Sequence, residues 1–462
     1  VTSLNNLLLA LALIWSGSVC AQRQTVIGPV TYTGNRVTKQ HILSREMTLR
    51  TGVAMPLDSV GYHMERSRSN LRNIKLFNFV EIDTCTGEGG VLNVEVRVVE
   101  RWYIWPVPLV ELGDRNFREW WETKDMSRID YGTFIFWNNF RGRNETVVLE
   151  LRFGYNNRYQ LRYEIPYLNK KQTIGIEFKG GYEQAREVAF SSLDNKRQFI
   201  HVDGQFMRKL AYGEIIPRWR PNLYNVHELT VGFTNEWVAD TVAVLNPDIF
   251  GNGETMTRHF SLQYELTNDK TDYTIYPLKG HILNLIVRKD GLGILGSPVD
   301  MFTAQIEFSK YWKLHPRWYF AHAQKLKVSS FNRQSYLYQR NLGYKNDYVR
   351  GYELTVIDGQ HFALVKTSLR WMLLQPKRIK LKFLKTDKLG LIPITIFANA
   401  NFDMGFGMDA QTRATNPMAE QWIYGGGVGI DVSTFYDILW RFEYSINKAG
   451  NHGFFLHFQK HI

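Results

Sequence analysis

Past residue 102, apolar side chains recur at every second position, segment after segment, and the helical spacing of three to four disappears. In 146–155 (TVVLELRFGY), Val147, Leu149, Leu151, Phe153 and Tyr155 share one face against Val148, Glu150, Arg152 and Gly154. In 158–167, Tyr159, Leu161, Tyr163, Ile165 and Tyr167 oppose Gln160, Arg162 and Glu164. In 173–180, Ile174, Ile176 and Phe178 oppose Gly175, Glu177 and Lys179. Further on, Ile438, Trp440, Phe442, Tyr444 and Ile446 face away from Arg441, Glu443 and Ser445. A period of two marks strands with one apolar face. A soluble sandwich alternates in the same way. Two features point instead to a membrane β-barrel. The apolar faces are rich in aromatics, above all near strand ends, as girdles at a bilayer interface are. The polar faces carry Arg, Glu and Lys in mid-strand, which suits a wet lumen.

Composition narrows the choice. The chain holds 24 Tyr, 28 Phe and 13 Trp, and its 44% hydrophobic and 22% charged residues exclude a disordered chain. A net charge of +12 could serve nucleic acid or an anionic membrane. The basic residues, however, sit singly along strands, as Arg152, Arg162 and Lys179 do, so the sequence argues against nucleic acid as a partner.

The segment VTSLNNLLLALALIWSGSVCAQ has an apolar core, Leu7 to Trp15, then small residues and a Val19-x-Ala21 cleavage pattern. It lacks a basic start but otherwise reads as a signal peptide over 1–21, with the mature chain beginning near Gln22. Cleavage there leaves Cys85 alone, which rules out an intrachain disulfide scaffold. No later stretch offers the 18 or more apolar residues of a helical span. An exported chain without such a span is a soluble exported protein or a membrane barrel.

Residues 22–101 read differently, as a small α+β unit. VTYTGN (30–35) is a strand ending in a turn, and TKQHILSREM places Ile42, Leu43 and Met47 at helical spacing behind Thr38 as N-cap. Pro56 breaks the chain, and Leu57, Val60, Met64, Ser67, Leu71 and Ile74 then mark a second helix. FVEIDT and VLNVEVRVVE follow as strands, the latter with Leu92, Val94, Val96 and Val98 on one face. Strand, helix, helix, strand, strand is a sheet with two helices on one side. Residues 102–462 form the second region. At about 22 residues per strand with its connection, this length fits sixteen strands, and equally twelve or eighteen.

Within that region three stretches stand out. GGGVGIDV lacks the spacing and the following helix of a phosphate loop. It alternates instead, with Gly425, Gly427, Gly429 and Asp431 on one face, a strip that leaves room for something packed inside the lumen. NDYVRGYE (346–353) places Arg350 between Val349 and Gly351. Taken alone, Arg350 is a solvated arginine on an external loop. On a loop folded inward, it needs a carboxylate held against its fork. Asp403 offers one, sharing a face with Asn401 and Gly405 opposite Phe402, Met404 and Phe406. Gly351 permits a tight bend, and Tyr352 is placed to pack over the pair. Third, YIWPVPLVEL (103–112) carries Pro106 and Pro108. Either it is the first barrel strand, with two backbone donors deleted from one edge, or it is a stiff linker.

The V-R-G-Y of Val349 to Tyr352 and the D-x-G of Asp403 to Gly405 resemble the paired signature of the BamA/TamA superfamily of outer-membrane proteins, the bacterial surface antigen family. That resemblance implies a sixteen-stranded outer-membrane barrel whose long extracellular loop dips into the lumen and locks Arg350 onto Asp403. It implies that residues 22–101, with their Gly34-Asn35 turn, are a periplasmic POTRA domain. Asn451, Gly453, Leu456 and Phe458 match the terminal signal read by barrel-assembly machinery. The chain has room for one POTRA unit where inserting relatives usually have several, and four residues follow Phe458. The implied function is non-enzymatic: a factor for assembly, insertion or translocation of proteins. Its implied partners are outer-membrane lipids, unfolded or nascent outer-membrane proteins, and accessory periplasmic or lipoprotein subunits. A dedicated secretion pore for one partner protein is the alternative, although such relatives usually carry two POTRA units and a plug helix. No cofactor or metal is implied. No G-x-S-x-G or H-E-x-x-H is present, and His457 and His461 lie four apart on a strand rather than a helix.

Overall fold

The computed structural model describes residues 23–87, 90–112, 126–330, 334–380, 391–409, 411, 413–434 and 438–460. The expected signal peptide, 1–21, lies outside them. The N-terminal unit comprises β1 (Gln24–Thr33), α1 (Gln40–Glu46), β2 (Ala54–Pro56), α2 (Val60–Asn73), β3 (Phe77–Thr86) and β4 (Leu92–Glu100). Its sheet runs β2-β1-β4-β3, with β1 parallel to β4 and the other neighbours antiparallel. Ile42, Leu43 and Leu71 from the helices pack with Val94, Val96 and Val98 from β4 in one core.

Two local readings are corrected. The chain does not simply break at Pro56: residues 54–56 form a short edge strand, where a terminal proline removes no essential ladder bond. Thr38 does not cap α1; the N-cap is Lys39, without a side-chain cap bond. The Thr38 hydroxyl donates to Glu100 Oε1 (2.8 Å) and accepts from Asn139 Nδ2 (2.9 Å), so tertiary partners win over the cap.

The larger region begins with β5 (Ile104–Leu112), β6 (Ile129–Phe140), β7 (Glu145–Gly154), β8 (Asn157–Ile165) and β9 (Ile174–Ala185). A separate hairpin follows, β10 (Glu187–Leu193) and β11 (Lys196–His201). Then come β12 (Arg208–Trp219), β13 (Asn225–Val238), the short α3 (Asp240–Leu245), β14 (Met256–Asp269), β15 (Gly280–Asp290) and β16 (Met301–His315). The chain finishes with β17 (Trp318–Ser329), β18 (His361–Lys380), β19 (Leu391–Met408), β20 (Trp422–Ser433), β21 (Ile438–Asn447) and β22 (His452–Lys460). Apart from the hairpin, these strands form one sixteen-stranded antiparallel sheet, each paired with its neighbours in chain order from β5 to β22.

Alternation decides which way each side chain points. Trp219, Phe402, Trp422, Tyr444 and Leu456 are exposed on the outer face. Glu150, Glu177, Asp403 and Glu443 on the other face are buried. The mid-strand charges satisfy one another across the wall: Arg162 Nε lies 2.8 Å from Glu177, Lys179 Nζ 3.1 Å from Glu214 and Arg441 Nε 2.8 Å from Asp431. An apolar exterior around a paired, charged interior is the arrangement a bilayer demands of a barrel.

The α+β unit sits at the mouth formed by short connections. Arg220 Nη1, just after β12, reaches Glu46 at the end of α1 (2.8 Å), and Arg66 of α2 lies 4.3 Å from the Tyr224 ring centroid. The Lys39 N–H donates to the Gly142 carbonyl (2.9 Å). A cavity of about 710 Å³ lies between unit and barrel, lined among others by Arg66, Trp102, Arg162, Arg218 and Glu228. At the other mouth, the β17–β18 loop, α3 and the β10–β11 hairpin pack together through Tyr336, Val242, Phe250 and Val188.

Candidate functional site

The β17–β18 loop folds into the lumen. Leu342, Val349, Tyr352 and Ile357 from the loop cluster with Phe362 and Leu364 of β18 and Ile423 of β20. The wall beneath is made of glycine. Asp403 pairs with Gly425, and Gly429 pairs with Glu443, so β20 is a trough between β19 and β21. A Cβ on Gly425 would overlap the Arg350 carbonyl, and one on Gly405 would meet Val349 Cγ2 at 2.7 Å. At Gly425 the small-residue strip is covered by the loop itself, whereas Gly427 and Gly429 lie against the neighbouring strands. At the bend, Gly351 has φ +80°, a conformation that side chains disfavour.

Arg350 lies across this trough with its side chain 9% exposed. Its Nη1 is 2.5 Å from Asp403 Oδ1 on one bank, and its Nε is 2.9 Å from Glu443 Oε2 on the other. The Arg350 N–H also faces Asp403 Oδ2 at 3.4 Å. Asp403 and Glu443 are fully buried. Asn401 Nδ2 (3.1 Å) and the Ser445 hydroxyl (2.8 Å) donate to Glu443, while Asn447 Nδ2 donates to the Gly351 carbonyl (2.7 Å). One guanidinium therefore joins the loop to two strands, an arrangement suited to its planar fork.

Val349, Arg350, Gly351, Asp403 and Gly405 thus meet in one place. Tyr352 lies in the apolar cluster beside them. The ring near the charges is Tyr348, 4.2 Å from Lys366 Nζ and stacked on His457 (5.7 Å between centroids). Burial pushes the Tyr348 phenol up to about 12, so it stays neutral. Sequence reading missed Glu443 as the second carboxylate. Its parity on the polar face was visible, but its approach to Arg350 depends on the register across β20. Glu353, Glu443 and His457 also converge here, with one donor atom from each within 4.8 Å of the others. Burial lifts the Glu353 carboxyl above the usual range.

Pro106 and Pro108 lie within β5, opposite Ile135 and Thr133. The Asn138 N–H donates to the Tyr103 carbonyl (2.8 Å), so Tyr103 and the residues at even steps from it bond towards β6. Ile104, Pro106, Pro108 and Val110 therefore turn their backbone groups to the other edge, where both prolines lack a donor. At the far end of the sheet, Gly453, Leu456 and Phe458 of β22 pair with Ser445, Phe442 and Trp440 of β21. Among the described residues, no ladder joins β5 to β22.

Sixteen strands with an aromatic exterior, a charged interior and an inward-folded loop define a transmembrane β-barrel of the outer-membrane type. The Omp85 superfamily domain is matched over residues 139–434, well over half of the chain, and the chain belongs to that superfamily. It is an outer-membrane barrel with a general role in protein insertion or translocation. Among the solved structures that share the fold are two outer-membrane barrels. BamA from Haemophilus ducreyi lacking POTRA domains 1–3 is 15% identical with a TM-score of 0.51, over 94% of this chain and 84% of that one. CdiB from Escherichia coli is 10% identical with a TM-score of 0.54, over 96% and 91% of the two chains. No curated protein matches the sequence.

Proposed function

We propose that the protein is a non-enzymatic assembly factor that helps client proteins fold into the outer membrane. In this reading residues 1–21 are a signal peptide, 22–101 a periplasmic POTRA domain and 102–462 the barrel. The observation that carries it is the seam: β5 turns two proline nitrogens to the edge where β22 would have to pair. A seam with few hydrogen bonds can part and offer its edges to a client strand or to lipid. β3, at the edge of the small sheet, offers a second strand-accepting surface. The loop held by Arg350 fills part of the lumen, which favours a lateral route over a permanently open pore. Outer-membrane lipids, nascent outer-membrane proteins and accessory periplasmic or lipoprotein subunits are the partners this reading implies.

The test is capture of transient complexes with a photo-crosslinker at Leu456. Recovery of several nascent barrel proteins supports assembly. Recovery of one secreted protein alone would replace this reading with that of a dedicated secretion pore.

A further inference from the structure

Beside the Arg350 contact, three residues from three chain segments converge: Glu353 on the loop, Glu443 on β21 and His457 on β22. Register explains the wall pair. Arg441 pairs with His457 and Glu443 with Phe455, so Glu443 and His457 are diagonal neighbours facing the lumen. Glu353 then approaches from above. Both of its carboxylate oxygens, and His457 Nε2, are buried without a hydrogen-bond partner. The Gly351 and Glu353 N–H groups face the carboxylate but do not meet hydrogen-bond geometry. Leaving such groups buried and unsatisfied is costly, and each specific case calls for a cause.

Local charge points to the cause. The cations around the cluster are Arg350, Lys366 and Arg441. Arg441 is taken up by Asp431, and Arg350 spans Asp403 and Glu443. Lys366 Nζ donates to the Asn346 carbonyl, which leaves Glu353 with no ion-pair partner among the described residues. We propose that Glu353, Glu443 and His457 bind a zinc-class divalent cation that ties the loop to the last two strands. One imidazole and two carboxylates form a three-ligand set of the kind zinc accepts, with a fourth position for water. The imidazole favours such an ion over magnesium or calcium, which prefer oxygen alone. Ligands around a tetrahedral zinc stand about 3.4 Å apart. The three donor atoms already lie within 4.8 Å of one another, so side-chain rotation alone would bring them to that spacing. The bound ion would couple the seated loop to β22, the strand at the seam, whatever the client.

The experiment uses the full mature chain, refolded in detergent. Zinc is titrated against a chromogenic chelator, and thermal unfolding is followed with zinc, with magnesium and with a chelator. One zinc per chain should bind in the wild type and raise its unfolding temperature, with no such effect from magnesium. His457→Asn and Glu353→Gln should each weaken that site at least about tenfold and abolish the shift. In chelator, Glu353→Gln should be at least as stable as the wild type, because it removes an unpaired buried carboxylate. This separates lost binding from failed folding. Absence of a saturable zinc site in the wild type, or an undiminished one in both variants, would overturn the proposal.

Discussion

Arg350 faces two buried carboxylates, and that imbalance gives its removal a different cost from theirs. Arg350→Ala leaves Asp403 and Glu443 buried on either side of an empty trough; Asp403→Ala leaves the guanidinium with Glu443. Both should destabilise the loop, by about 3–5 kcal/mol where the site is dry and less where lumen water enters, with Arg350→Ala the more harmful. The double variant should cost clearly less than the sum, read from urea unfolding midpoints of the refolded barrel. Simple additivity would mean the two side chains do not interact. Gly351→Ala tests the bend that delivers them. A Cβ there would lie 2.8 Å from Asn447 Cβ at φ +80°, and a strained conformation of this kind costs about 1–3 kcal/mol. Loop cleavage by an added protease should rise accordingly, while β-sheet content stays unchanged. Asp403 was legible because its strand alternates and its D-x-G follows a V-R-G-Y. Glu443 was not, because single-sequence alternation says which face a residue takes and nothing about which strand lies two places away.

At the scale of the element, the same limit explains Pro106 and Pro108. Sequence alone left them in a first strand or a linker; the continuous ladder with β6 puts them in the strand. Alternation identified β7, β8, β9 and β21 with their outward faces, because lipid on one side and charge on the other leave no freedom to slip by one residue. It failed past the strand ends, where Tyr155 and Tyr167 are buried, Tyr167 in the core of the small unit. It could not count sixteen, since length permits other totals. Replacing both prolines with valine restores two outward donors, each worth about 0.5–1.5 kcal/mol if it finds an acceptor on β22. Hydrogen exchange of β5 and β22 should then slow and client assembly should fall. A direct clamp is sharper: in a Cys85→Ser background, a cysteine at the outward-facing Val110 is paired with one at Leu456 or Phe458. Disulfide formation should arrest assembly and reductant should restore it. A confirmed disulfide with assembly unchanged removes the seam from the mechanism.

For the whole molecule, the question is what sets the small unit against the barrel mouth. The division into an α+β unit and an alternating β region could be read from the change of period near residue 102. The docking could not, because Glu46 looks like a solvated residue at a helix end and Arg220 like a turn residue, and 174 positions separate them. In the folded chain Glu46 is 1% exposed, bound by Arg220 through both oxygens (2.8 and 3.2 Å) and approached by Arg45 at 3.3 Å. Arg220→Ala leaves that carboxylate buried with Arg45 as its remaining cation. The cost should fall below the ~3–5 kcal/mol of a broken, fully buried pair, since Arg220 is itself 20% exposed. It should also fall on the interface rather than the fold, because the core of the unit (Ile42, Leu43, Leu71 and Val96) does not involve Arg220. Hydrogen exchange of α1 and proteolysis of the connection near Arg101 should therefore accelerate, while the unfolding midpoint of the barrel stays in place. If exchange in α1 does not change, docking rests on the other contacts instead, among them Arg66–Tyr224, Lys39–Gly142, Asn139–Thr38 and the packing of Tyr103 and Tyr167 in the core of the unit, with no dominant tie.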